Sequence, residues 1–185
     1  LGAWTPLDGC ENILDVGTGT GLIALQLAQR TQSARIVGVE IDEAAAMQAR
    51  ENVGRSVWKD RIDVCCCDFR NYSSDIAFDL IVSNPPYFLD ALKSPSEQRS
   101  VARHAGSLNY DLLFRQSSHL LQAHGLVAII IPSEVEKVVE DIAWMHHLYP
   151  VRRMRVFTKP GKPCRRVMLA FSFEDRECVD EELCI

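Results

Sequence analysis

The segment Asp15-Val16-Gly17-Thr18-Gly19-Thr20-Gly21 sets one carboxylate ahead of three alternating glycines. Glycines let the backbone turn sharply and let a ligand approach without meeting a Cβ. The helix that should follow offers unpaired N–H groups at its start. The dinucleotide fingerprint, G-x-G-x-x-G or A, is not met, because counting from Gly17 its last position falls on Leu22. Asp15 would repel a pyrophosphate and suits a ligand with a positive amino group.

Two further acids follow the next two apolar runs. Glu40 can take both hydroxyls of a ribose. Asp68 can accept from an adenine amino group. Each acid alone would read as a helix cap or a solvated loop residue. In this order on one edge, they describe a ligand with a cationic centre, a ribose diol and an adenine. That ligand is S-adenosylmethionine, with S-adenosylhomocysteine as the product.

A fourth run ends in Asn84-Pro85-Pro86-Tyr87-Phe88. Paired prolines fix an extended backbone and donate no hydrogen bonds, so nearby carbonyls stay free to accept. The Asn84 side-chain oxygen and the Pro85 carbonyl can grip the two hydrogens of an –NH2 group. Tyr87 offers a face for stacking a planar base, worth roughly 1–3 kcal/mol. The alternative is a proline-stiffened loop with a core tyrosine. Position favours a site, because ligands of open α/β sheets bind beyond the carboxyl ends of the strands. A base held this way must first be unstacked, which costs least in a loop.

Positioning these groups requires alternating strands and helices. Strands are expected at Asn12–Gly17, Ala34–Ile41, Arg61–Cys67, Phe78–Ser83 and Leu126–Ile131, and helices at Leu22–Arg30, Glu43–Arg55 and Tyr110–Leu121. Asp42 should cap the second helix at its start, and Gly125 should cap the third at its end. Buried strands separated by helices mean a parallel sheet. Val151–Thr158 and Arg165–Phe173, joined by residues 159–164, read as a hairpin that ends the sheet with an antiparallel strand. The expected fold is therefore α/β: a Rossmann-like, seven-stranded, mostly parallel sheet with helices on both faces.

Composition agrees with a globular α/β chain. Of 185 residues, 47% are hydrophobic and 24% charged, enough for one full core without intrinsic disorder. No apolar run is long enough to span a membrane. A net charge of −5 argues against non-specific nucleic-acid binding, so any such contact must be a local patch. Arg152, Arg153, Arg155, Lys159, Lys162, Arg165 and Arg166 form one, and Arg99, Arg103 and His104 follow the Asn-Pro-Pro-Tyr turn. Seven cysteines without a C-x-x-C pair exclude a disulfide framework or zinc site and point to reduced thiols in the cytoplasm. Cys65 and Cys67 should be small hydrophobes on one strand face. The domain is expected over residues 1–173. Residues 174–185, with six acids and one Arg, are expected as a frayed, solvated tail. The opening Leu1 is not an initiator Met, so the chain is expected to continue upstream.

Taken together, Asp15–Gly21, Glu40, Asp68 and Asn84-Pro85-Pro86-Tyr87 resemble the class I S-adenosylmethionine-dependent methyltransferases that modify exocyclic or amide nitrogens. Leu1-Gly2-Ala3-Trp4, Phe88, Arg99–Leu113 and Lys159–Arg166 narrow the resemblance to the bacterial tRNA1(Val) adenine N6-methyltransferases. It covers nearly the whole chain. It implies cofactor contacts from Asp15, Gly17, Thr18, Gly19, Gly21, Glu40, Ile41, Asp68, Phe69 and Asn84, and catalysis by Asn84, Pro85 and Tyr87. It implies tRNA contacts from Pro86, Phe88, Arg103, His104, Lys162, Arg165 and Arg166. It further implies a monomer without a metal, and an upstream segment that closes over the cofactor. The same motif serves release-factor glutamine N5-methyltransferases and other rRNA or DNA amino-methyltransferases; the basic hairpin favours nucleic acid. A non-catalytic RNA-binding or chaperone module on the same fold is the reading from another class, and the intact acids and Asn-Pro-Pro-Tyr motif argue against it.

Overall fold

Alternation along each strand divides the core between two faces. In β1 (Asn12–Val16), Ile13 joins one apolar cluster while Leu14 and Val16 join the other. In β4 (Phe78–Ser83), Leu80 and Val82 oppose Ile81 in the same way. Helix α1 (Leu22–Arg30) covers the Ile13 face through Ala24, Leu27 and Ala28, and α2 (Glu43–Gly54) adds Val53 there. On the Leu14 face lie α3 (Tyr110–Leu120), with Leu113 and Phe114, and α4 (Glu136–Met145), with Val139 and Ala143. The computed structural model describes residues 1–85 and 109–185, and among them no helix is long and apolar enough to cross a membrane.

With β2 (Arg35–Glu40), β3 (Ile62–Cys66), β5 (Leu121–Pro132), β6 (Tyr149–Phe157), β7 (Arg166–Ser172) and β8 (Val179–Cys184), the sheet runs β3-β2-β1-β4-β5-β7-β6-β8. β1 to β5 pair in parallel, and β7 is antiparallel to both β5 and β6. The expected mostly parallel sheet with an antiparallel C-terminal strand is thus present, with helices on both faces. Asp42 caps α2 by accepting from the Ala45 N–H at 2.8 Å. Cys65 and Cys67 pack against the core while Cys66 is exposed.

Two expectations are corrected. Gly125 is not a helix cap. α3 ends at Leu121, whose backbone is already extended, and passes straight into β5. A Cβ on Gly125 would come 2.7 Å from Leu121 Cδ1 and 3.0 Å from the Phe78 carbonyl oxygen. The glycine therefore serves close packing where the β4–β5 register shifts.

The second correction concerns the acidic tail, which is not frayed. Residues 179–184 form β8, the eighth strand of a sheet expected to have seven, parallel to β6. Asp180 meets Arg153 at 2.7 Å and Arg155 at 3.4 Å. On the other side of the strand, Arg152 grips Glu181 through two bonds of 2.7 and 3.0 Å. These arginines hold both carboxyls below the usual carboxylate range. Read alone, the run of acids looks solvated; its partners lie some thirty residues upstream in sequence. Trp4 joins the same cluster, donating its indole N–H to Glu181 at 3.1 Å beneath the Arg152 guanidinium.

Candidate active site

β1, β2, β3 and β4 are parallel, so Asp15, Glu40, Asp68 and Asn84 come out on one carboxyl edge. Val16 is the register partner of Val39 and of Ser83, and Glu40 of Cys66. The turn between β1 and α1 has left-handed backbone at Gly17 (φ +68°), Gly19 (φ +57°) and Gly21 (φ +84°). Side chains rarely adopt that conformation. A Cβ at Gly17 or Gly19 would meet nothing within 4 Å, so the turn presents bare, open backbone. Gly21 instead abuts Ala49 of α2.

Asp15 is fully buried. Its Oδ2 accepts from the Thr18 hydroxyl at 2.6 Å and the Ala24 N–H at 3.1 Å. Its Oδ1 is buried without a partner. Burial raises the carboxyl, the two hydrogen bonds oppose the rise and the Glu40 charge adds to it, for a net value of about 6. Glu40 bridges the turn and its own strand end. Oε2 accepts from the Gly19 N–H at 2.8 Å, and Oε1 from the Ile41 and Asp42 N–H groups at 2.9 and 3.0 Å. Ile41 is 52% exposed beside it, an apolar face at the rim. Asp68 caps a short 3-10 turn, accepting from the Arg70 N–H at 2.9 Å and pairing with its guanidinium. That bond holds the Asp68 carboxyl low. The Phe69 side chain is buried in the core, and its carbonyl accepts from the Tyr72 N–H at 3.2 Å.

These residues fit the ligand deduced for them. Asp15 Oδ1 is an orphaned buried acceptor suited to an ammonium. The glycine turn leaves space against its backbone, and the Glu40 and Asp68 carboxylates stand on the same edge, that of Asp68 paired with Arg70. At the end of β4, Asn84 is exposed and Pro85 buried. Pro86, Tyr87, Phe88, Arg99, Arg103 and His104 lie outside the described residues.

The basic hairpin divides in two. Arg152, Arg153 and Arg155 are taken up by acids of this chain: Arg153 also meets Glu140 at 2.5 Å and Arg155 meets Glu136 at 3.0 Å. The expectation that these three face RNA phosphate is corrected accordingly. The turn from Thr158 to Arg165 sits at the carboxyl end of β5. There the Ser133 hydroxyl donates to the Cys164 carbonyl at 2.8 Å, and Pro132 is the register partner of Arg166. Lys159, Lys162 and Arg165 are exposed on this turn, on the same edge as Asn84.

Three supporting residues escape a reading of motifs. Gly38 in β2 makes room for Thr18, whose Cγ2 would lie 2.9 Å from a Cβ there; a lone glycine inside an apolar strand was the available signal. Ser83 buries a hydroxyl that donates to the Val16 carbonyl at 2.9 Å. Asn52 of α2 donates to the Thr20 carbonyl at 2.9 Å, and nothing in the local sequence marks it.

Replacing Glu40 by Ala should weaken S-adenosylhomocysteine binding by about 10–100-fold, the loss of one or two hydrogen bonds to a charged acceptor. Calorimetry on the folded variant checks this; an unchanged affinity would remove Glu40 from the site.

The methyltransferase small domain model matches residues 6–138. The tRNA1(Val) (adenine(37)-N6)-methyltransferase of Bacteroides thetaiotaomicron is 52% identical over 99% of this chain and 78% of its own length. The protein of the same name from Pectobacterium carotovorum is 40% identical over 100% and 76%. Among solved structures, the fold matches a predicted O-methyltransferase of Agrobacterium tumefaciens with a TM-score of 0.74 at 17% identity, covering 94% of this chain and 79% of that one. It also matches an S-adenosylmethionine-dependent methyltransferase of Clostridium acetobutylicum with a TM-score of 0.62 at 13% identity, covering 88% and 83%.

Proposed function

We propose that this chain, which belongs to the methyltransferase small domain family, methylates N6 of adenosine 37 in tRNA1(Val) with S-adenosylmethionine as donor. The observation that carries the reading is the juxtaposition on one sheet edge. Asn84 and Pro85 leave β4 beside the turn in which Asp15 keeps a buried, unpartnered oxygen. The names of the relatives supply the substrate.

An adenine amino group is a poor nucleophile because its lone pair is conjugated with the ring. Asn84 Oδ1 and the Pro85 carbonyl accept its two hydrogens, which makes the nitrogen more electron-rich and fixes its direction. When bound, S-adenosylmethionine supplies an electrophilic methyl whose leaving group is a neutral thioether, so the displacement calls on no metal. Asp15 takes the ligand's ammonium, Glu40 its ribose hydroxyls and Asp68 its adenine amino group, with Ile41 against the ring. Positioning and electrostatics supply the acceleration. Transfer leaves the methylated nitrogen positively charged and acidic, so its proton passes to solvent water and no dedicated strong base is needed. The reading places the chain in the cytoplasm as a monomer, where its unpaired cysteines stay reduced.

Incubation with S-adenosylmethionine and unmodified tRNA1(Val), followed by nucleoside mass spectrometry, should yield N6-methyladenosine at position 37. Methylation of a release-factor glutamine and none of tRNA would overturn the substrate. In tRNA-binding titrations across salt concentrations, reversing Lys162 and Arg165 to Glu should weaken binding and lower the slope of log affinity against log salt by about two. Affinity for S-adenosylhomocysteine should be unaffected. An unaltered salt slope would move the RNA surface away from this turn.

A further inference from the structure

Val16 closes β1, Ser83 closes β4, and the two are register partners. Ser83 is fully buried at the end of an otherwise apolar run, Phe78–Ser83, and its hydroxyl donates to the Val16 carbonyl at 2.9 Å. The large majority of buried side-chain polar atoms are hydrogen-bonded, and here the partner is the Val16 carbonyl. The bond lies where the backbone ladder between the two strands runs out. Past Val16 the chain turns at Gly17 with φ +68°. Past Ser83 it enters Asn84-Pro85-Pro86, and proline has no N–H with which to continue a ladder.

The glycine turn already leans on β2. The Gly17 and Thr18 N–H groups donate to the Val39 carbonyl at 2.8 and 3.1 Å, and the Gly19 N–H donates to Glu40. Those contacts fix the turn against the strand that carries the proposed ribose acceptor, but not against the strand that carries Asn84. The Ser83 hydroxyl supplies that link from the β4 side.

We propose that Ser83 is a positioning residue for methyl transfer. Its hydroxyl ties the last carbonyl of β1 to the last residue of β4, and so sets the offset between the cofactor turn and the amine grip at Asn84. Ser83 touches neither reactant; it acts through the two segments it joins. This inference rests on the reading of the site given above. Displacement in line tolerates little error, and a misplacement of about 1 Å costs on the order of 10²-fold in rate.

The test compares Ser83→Ala and Ser83→Thr in the full chain. Threonine keeps the hydroxyl on a β-branched side chain suited to a strand. In ligand-free Ser83→Ala, amide hydrogen exchange across residues 15–21 should speed up by about tenfold or more, while exchange in the centres of β2 and β5 stays as in wild type. Single-turnover transfer to tRNA should fall by about 10–100-fold, with the S-adenosylhomocysteine dissociation constant little changed. Ser83→Thr should restore both the exchange rate and the transfer rate.

Unchanged exchange in Ser83→Ala overturns the link, and faster exchange with an unaltered transfer rate overturns its role in positioning. Faster exchange throughout the sheet overturns the inference as well, since the hydroxyl would then support the fold as a whole. A wild-type chain that binds S-adenosylhomocysteine but transfers no methyl to tRNA would sink the functional reading instead, and the exchange measurement would still decide the link.

Discussion

The Asn84→Ala variant keeps the backbone through which Asn84 can still meet the cofactor; it is expected to fold, to bind S-adenosylhomocysteine nearly as wild type does, and to lose methyl transfer by roughly 10²–10³-fold, because one well-placed acceptor is worth on the order of 3–4 kcal/mol. The separation of effects follows from position. Asn84 is exposed beyond the end of β4, so its truncation opens no cavity. The contacts that shape the cofactor turn come from Asp15, Glu40 and Val39, not from Asn84. The measurement is single-turnover transfer to unmodified tRNA, with thermal stability and cofactor affinity recorded on the same preparation. A folded Asn84→Ala variant with wild-type rates would refute the proposed hold on the amine.

The second large effect has two faces, both at Asp15. A carboxyl moved from 3.8 to about 6 by burial is held against ionisation by roughly 3 kcal/mol. Because the folded-state value is the raised one, Asp15 contributes its full stability only below about pH 3.8. It loses that contribution as pH rises through about 6. Above neutrality the folded, ligand-free protein carries a buried charge with one unpartnered oxygen. Asn at this position keeps an acceptor for Thr18 and Ala24 and carries no charge. Asp15→Asn should therefore raise ligand-free stability, by up to about 3 kcal/mol at pH 7.5. The advantage should grow between pH 4 and 7 and level off above. The same change should weaken S-adenosylmethionine binding by about 10–100-fold, since the ammonium loses its counter-charge. Urea titrations across that pH range, paired with calorimetry, test both. A variant less stable than wild type at pH 7.5 would show that the wild-type carboxylate finds compensation the buried Oδ1 does not display.

Much of this arrangement was legible because its parts are local. The glycine turn, the strand that precedes it and the helix that follows are contiguous in sequence, and so are Phe78–Ser83 and Asn84-Pro85. Apolar runs bounded by turn residues located β1 and β4 to within a residue, and Asp42 announced α2. What escaped depends on partners far along the chain. The value of Asp180 and Glu181 lies in Arg152, Arg153 and Arg155, so a charge run read in isolation misassigns both the tail and these three arginines of the basic hairpin. Gly125 was misread for the same reason, since the atoms that exclude a side chain there include the Phe78 carbonyl on another strand. Ser83 and Asn52 carry no motif, and their roles exist only once β1, β4 and α2 are packed together.

The joining of Trp4 to Glu181 and Arg152 also bears on how the molecule is made. Those partners are separated by up to 177 positions along the chain. During synthesis from the N-terminus, at about 5–20 residues per second, Trp4 must wait for β8 before it acquires these contacts. β7, which fills the slot between β5 and β6, is also made after both of its neighbours. A nascent chain halted between residues 132 and 166 therefore exposes the unpaired edge of β5 with its apolar residues Ile129 and Ile131. Such an open edge is a template for association with other chains. Pairing of β7 with β5, followed by β8 on β6, thus closes an edge that β5 on its own leaves open.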